Sequence, residues 1–226
     1  MQYEGIHKAV FLSRPNRFIA QVELNGQKET VHVKNTGRCK ELLIPGATVF
    51  IQEQNQPTRK TKFDLIGVLK NGCMINMDSQ AVNQVAEEFI RDGNLFNNVR
   101  MLRREKTYKD SRFDLYLETD TDKIFVEVKG VTLEVDSMAR FPDAPTLRGL
   151  KHIRELCDCV DNGYKACILF VIQMKGISSF SPNDETQPEF RAALKQAKAK
   201  GVLVKAFDCL VTEDTLVMDK EIPVLL

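Results

Sequence analysis

Ser111-Arg-Phe-Asp-Leu-Tyr-Leu117 and, after a polar turn, Ile124-Phe-Val-Glu-Val-Lys-Gly130 read as the two arms of an antiparallel hairpin. Side chains alternate along a strand, so Asp114 and Tyr116 are expected opposite Phe113, Leu115 and Leu117, and Phe125, Glu127 and Lys129 opposite Ile124, Val126 and Val128. Two carboxylates and an ammonium then meet on an otherwise apolar ribbon. Their desolvation is costly, and either a divalent cation between the acids or an ion pair to Lys129 would offset it. The plain alternative is a solvated face whose cross-strand pairs contribute about a few tenths of a kcal/mol each. The flanks favour the first reading, because a second polar cluster follows Gly130 and a fully apolar strand lies beyond it.

Around the hairpin the pattern is helical. From Asp78, residues Val82, Val85, Ala86 and Phe89 share one face with Glu87 and Glu88 beside it, ending near Gly93. After the hairpin, Thr146 to Val160 repeats apolar residues at 147, 150, 153, 157 and 160, with Arg148, His152 and Glu155 on the opposite face, and closes at Asn162-Gly163. Lys165 to Gln173 is a continuous apolar run, as in a strand covered by helices on both sides. Pro188 to Lys200 predicts a further helix, closed by Gly201 and followed by the strand Val202 to Phe207. Residues 81–226 are thus expected to form a mixed sheet flanked by helices.

Residues 1–80 read differently. Strands Phe18–Leu24 and Glu29–Val33 flank Asn25-Gly26, Leu65–Leu69 and Cys73–Met77 flank Asn71-Gly72, and Pro45-Gly46 leads into Thr48–Gln52. Short strands joined by tight turns predict a small barrel of the oligonucleotide-binding type. The overall class is α/β, of mixed α+β character, in two domains.

Composition sets bounds. A chain of 226 residues with 43% apolar content can bury a large core, and its net charge of +1 argues mildly against a passive nucleic-acid coat. Basic residues are nonetheless locally dense, since residues 100–112 hold six of them against two acids, and Lys34, Arg38 and Lys40 cluster with Arg59, Lys60 and Lys62 near by. Six scattered cysteines without a CxxC pair read as reduced thiols, and three histidines lack zinc-finger spacing. No apolar run is long enough to span a bilayer and no leader pattern opens the chain, so a soluble cytoplasmic protein with no membrane partner is expected.

Asn35-Thr-Gly-Arg-Cys-Lys-Glu-Leu-Leu43 with Pro45-Gly46, Ser111-Arg-Phe-Asp114, Glu127-Val-Lys-Gly130, and Phe141-Pro-Asp-Ala-Pro-Thr-Leu-Arg-Gly149 with Lys151-His152 resemble the sugar fermentation stimulation protein A family, over nearly the whole chain. The resemblance implies an N-terminal oligonucleotide-binding barrel and a C-terminal PD-(D/E)xK nuclease-like domain, with DNA binding and a link to sugar-utilisation genes. Carried over, it puts a metal-binding aspartate at Asp114, the second acid at Glu127, the lysine at Lys129, and Glu87 from the preceding helix as a fourth member, with Glu88 as its substitute. Mg2+, or Mn2+, held by Asp114, Glu127 and the Val128 carbonyl would polarise a phosphoryl oxygen and acidify a water, while Lys129 orients that water or stabilises the developing charge. Two hard oxygen donors without His or Cys suit these ions better than zinc.

Arg148 and His152 are candidates for holding the scissile phosphate. The bland reading makes Arg148 the partner of a carboxylate and His152 a structural histidine. Lys34, Arg38, Lys40 and Arg112 are candidate nucleic-acid contacts, and Glu105 a further residue facing the site. Two departures stand out: Phe113 precedes Asp114 where the superfamily motif has proline, and Gln187 precedes Pro188 where the family usually has an acid. The expected function is a Mg2+-dependent DNA nuclease acting on single- or double-stranded DNA, the alternative a non-catalytic DNA-binding transcriptional regulator. RNA processing and homo-oligomer formation stay open.

Overall fold

Asn25-Gly26 and Asn71-Gly72 each place two successive residues at positive φ (52° and 77°, 50° and 77°), the geometry a two-residue hairpin turn requires. They join β2 (Ile19–Leu24) to β3 (Gln27–Val33) and β5 (Phe63–Lys70) to β6 (Cys73–Asn76) in a computed structural model that describes residues 1–35, 37–56 and 58–226. With β1 (Ile6–Asn16) and β4 (Thr48–Glu53) these strands form a sheet in the order β3-β2-β1-β4-β5-β6. A parallel pairing of β3 with β5, Val31 to Phe63 through Val33 to Leu65, closes the first five into a barrel. Phe11, Val22, Val31, Ile51 and Leu65 fill it. The barrel expected from sequence is present. β1 was not among the expected strands, because its polar residues and two register shifts against β2 blur the period of two.

The second half is a six-stranded sheet in the order β15-β14-β12-β9-β8-β7, built from β7 (Met101–Tyr108), β8 (Ser111–Glu118), β9 (Lys123–Val131), β12 (Lys165–Ile172), β14 (Leu203–Val211) and β15 (Leu216–Glu221). β9, β12 and β14 run parallel, and the outer strands antiparallel. Alternate residues of β12 serve opposite faces: Cys167, Leu169 and Val171 join α1 (Ala81–Arg91), while Ile168, Phe170 and Ile172 join α2 (Leu147–Asp161) and α3 (Pro188–Ala199). This is the strand buried on both sides that its unbroken apolar run implies. A small sheet of β10 (Leu133–Val135), β11 (Met138–Phe141) and β13 (Ser179–Pro182) props the loop that leads into α2.

Helix α2 departs from the expected stripe. Leu150, Ile153, Leu156, Cys159 and His152 face inward, whereas Leu147 is 82% exposed. Burial pushes the thiols of Cys39, Cys159 and Cys167 up to about 12, as suits unreactive core cysteines. Among the described residues no helix is long and apolar enough to cross a membrane.

Candidate metal and phosphodiester site

The β8–β9 register runs from Glu118–Lys123 to Leu115–Val126. One residue further, the Asp114 carboxylate accepts from Val128 N–H at 2.8 Å through Oδ2 and from Asn83 Nδ2 at 2.9 Å through Oδ1. Strand alternation fails at this point. Phe113 and Tyr116, three residues apart, both pack on Phe125, with ring centroids 5.4 and 4.9 Å away, on the α2 side, whereas Leu115 and Leu117 lie on the α1 side. Strict alternation would group Phe113 with the leucines. Between the pairs Arg104–Leu115 and Lys106–Phe113, Glu105 of β7 takes a φ of 56°. This local irregularity lets the Asp114 side chain reach both α1 and β9.

Glu127 is close enough for its charge to act on the Asp114 carboxyl, and it is 2% exposed. Its Oε1 accepts from both Lys129 Nζ and His152 Nδ1, and its Oε2 is buried with no hydrogen-bond partner among the described residues. Arg148 Nε donates to His152 Nε2 at 3.4 Å, which leaves the ring proton on Nδ1. Burial, reinforced by the charge of Glu127, raises the Asp114 carboxyl above the ordinary carboxylate range. Burial also works against Glu127, but the His152 hydrogen bond and the Lys129 charge outweigh it and hold that carboxyl low. An orphaned buried carboxylate oxygen beside a second acid fits a hard divalent cation. Among the described residues no group of three or more His, Cys, Asp or Glu is placed to hold a metal. Two carboxylates with the remaining positions left to water and phosphate oxygens is the habit of Mg2+ rather than of zinc.

A family model described as "Sugar fermentation stimulation protein RE domain" matches residues 80–215, and one described as "SfsA N-terminal OB domain" matches residues 12–77. The chain belongs to the sugar fermentation stimulation protein family. Homologues in Clostridium beijerinckii and Ruminiclostridium cellulolyticum are 57% and 55% identical over 226 residues, covering 100% of both chains in each case. The solved structure of Pyrococcus furiosus SfsA in complex with Ca2+ superposes with a TM-score of 0.92 at 28% identity, covering 100% of this chain and 98% of that one.

In this SfsA family member not every expected site residue converges. Glu87 binds Arg91 at 2.7 Å through Oε1 and Arg104 through Oε2, and despite partial burial these guanidiniums hold its carboxyl below the usual range. Glu88 accepts from the Met1 amino group at 2.7 Å. The residue of α1 that does reach Asp114 is Asn83, one turn before Glu87. Glu105 is exposed and faces Arg112 at 3.3 Å.

His152 is the clearest correction: it was expected on the exposed face of α2 and is 4% exposed, because Glu127 holds it inward. Arg148 is exposed, as expected. Lys34, a candidate nucleic-acid contact, is ion-paired within the fold. Its Nζ lies 3.1 Å from Asp64 and 3.3 Å from Asp78, tying a fully buried carboxylate of the barrel to the segment before α1. Arg38 and Lys40 are exposed after β3. In the basic run 100–112, Arg100 pairs with Asp120 at 2.7 Å, Lys109 with Asp158, Arg104 with Glu87, and Arg112 with Glu105. Among the described residues, only Arg103 and Lys106 of that run carry no ion pair.

A cleft of about 410 Å³ opens between barrel and sheet, lined by Asn35, Gly37, Gly130, Arg140, Thr146 and Gln173 among others. Gln173 is buried; its Nε2 donates to Asn76 Oδ1 at 2.8 Å and to the Asp78 carbonyl at 3.1 Å, while its Oε1 has no partner among the described residues. The sequence did signal it, as the one polar residue closing an apolar run, and a buried amide at such a place needs a reason.

Proposed function

We propose that this protein is a divalent-cation-dependent phosphodiesterase acting on DNA. The observation that carries the proposal is the buried Glu127 carboxylate, with one oxygen committed to Lys129 and His152 and the other partnerless, beside Asp114. Asp114 and Glu127 Oε2 would hold the ion. Mg2+ or Mn2+, when bound, would polarise a phosphoryl oxygen and lower the pKa of a coordinated water. Lys129, 16% exposed at its side chain, keeps Glu127 ionised and would donate to a phosphate oxygen as negative charge builds there. The neighbouring cleft is lined by Arg17 and Arg140, and Arg38 is tied through its backbone N–H to Asp143 in the same lining, so cations are at hand for a phosphate backbone. The Ca2+ named for the Pyrococcus furiosus relative supports a hard cation here.

The test is cleavage of single-stranded, duplex and branched DNA with Mg2+ or Mn2+. Cutting by the parent and its loss in Glu127→Ala and Lys129→Ala are expected; metal-independent or variant-independent cutting would refute the reading. A second reading, a non-catalytic DNA-binding regulator of sugar-utilisation genes, is favoured by one observation: Glu87 is occupied by arginines, which leaves two acids only. Under it, Arg38→Ala with Lys40→Ala weakens DNA binding while Asp114→Ala changes nothing.

A further inference from the structure

The donors around Glu127 are unequally shared. Lys129 Nζ and His152 Nδ1 both address Oε1, and among the described residues no donor addresses Oε2. The last torsion of a glutamate is broad, so an unrestrained carboxylate would turn to divide its donors between both oxygens and lower the cost of burial. The imidazole is placed to prevent this. It lies buried on the inner side of α2, its ring edge-on to Phe113 at 6.1 Å between centroids. Thr146 anchors that end of the helix, its hydroxyl accepting from Gly149 N–H at 2.9 Å. From the exposed side, Arg148 Nε donates to His152 Nε2. The other tautomer would turn an N–H against that donor and a lone pair against a carboxylate oxygen.

We propose that Arg148 and His152 are positioning residues for the cation site: the guanidinium sets the imidazole tautomer, the imidazole pins Glu127 Oε1, and Oε2 is thereby presented to the ion. The inference rests on the reading of Asp114 and Glu127 as the ion's ligands, and it gives the two residues a role other than gripping the scissile phosphate. Loss of a hydrogen bond that orients a metal ligand commonly costs about 10–100-fold in metal affinity.

The experiment is calorimetric titration of the full chain with Mn2+ alone, repeated with Ca2+. An asparagine at 152 puts its amide nitrogen near the place of Nδ1, whereas a glutamine puts it near the place of Nε2. His152→Gln is expected to weaken Mn2+ binding about 10–100-fold while His152→Asn stays within about threefold of the parent. Arg148→Ala is expected to fall between them. Equal affinity of His152→Gln and parent, or equal losses for the Asn and Gln variants, overturns the proposal. Glu127→Ala separates the two levels: retained Mn2+ binding there defeats the cation-site reading itself, whereas loss there with an unaffected His152→Gln defeats only the positioning role. If circular dichroism shows that the His152 variants do not fold, Arg148→Ala decides, since its side chain is exposed, and unchanged Mn2+ affinity in it overturns the proposal.

Discussion

Asp114 and Glu127 are neighbours whose proton affinities are displaced in opposite directions, and each displacement has a consequence for stability. Glu127, held low in spite of burial, stabilises the fold above the carboxyl's unfolded value, and that contribution is lost as pH falls through its lowered folded value. Asp114 is raised by burial and by Glu127, so the folded state binds its proton more tightly than the unfolded chain does. Its contribution is favourable in acid and is lost as pH rises through the raised value, which makes the ionised side chain a cost at neutral pH. Asp114→Asn should therefore stabilise the metal-free protein at pH 7, on the order of 1 kcal/mol as is common when a functional site's strain is relieved. Asn83 can accommodate the change by turning its amide so that Oδ1 faces the new Nδ2. Thermal melts of both proteins across a pH series check this: the advantage of the variant should shrink as pH falls, and Mn2+ should raise the midpoint of the parent only. A variant that melts below the parent at pH 7 contradicts the assignment.

At the scale of elements, the proposed cation site hangs on β9 and what packs against its end. A Cβ built on Gly130 would lie 2.6 Å from Gln173 Oε1 and 3.0 Å from Val82 Cγ1, so β9, the strand end after β12 and α1 meet where only hydrogen fits. Gly130→Ala should cost about 1–3 kcal/mol by overpacking. Chemical denaturation gives the number, and an unchanged midpoint would show that Gln173 can move aside. Elements with a clean period were legible in the sequence: the β8–β9 hairpin, β12, and all three helices within a few residues. β7 was not, because it is an edge strand with Arg103, Arg104, Glu105 and Lys106 all exposed, which gives neither face an apolar alternation to read. That omission carried into the site, since Arg104 on β7 is one of the two arginines that pair with Glu87. His152 was misplaced for a related reason. Helical periodicity sorts residues by polarity, and the partner that buries this imidazole is Glu127, 25 residues earlier in the chain.

On the scale of the whole molecule, barrel and sheet are joined by a polar spine, and it separates cations that hold the fold from cations left exposed. Lys34 bridges Asp64 and Asp78, the Asp78 carbonyl accepts from Gln173, and Gln173 packs on Gly130 beside Lys129. Removing Lys34 would leave the fully buried Asp64 to Arg59 and His32, and Asp78 without its ammonium. Lys34→Met should therefore destabilise on the order of 3 kcal/mol, at the low end for a broken buried pair because Arg59 remains. Arg38 and Lys40 are exposed and outside that spine, so Arg38→Ala with Lys40→Ala should change stability by no more than about 0.5 kcal/mol. If both touch phosphates, the same double variant should flatten the salt dependence of DNA binding by about 0.9 in log–log slope for each phosphate no longer neutralised. Denaturant midpoints and fluorescence anisotropy over a salt series distinguish the two roles. A Lys34→Met protein of undiminished stability but weakened, less salt-sensitive DNA binding would return Lys34 to the nucleic-acid surface, and the barrel would then present its basic cluster outward as one unit.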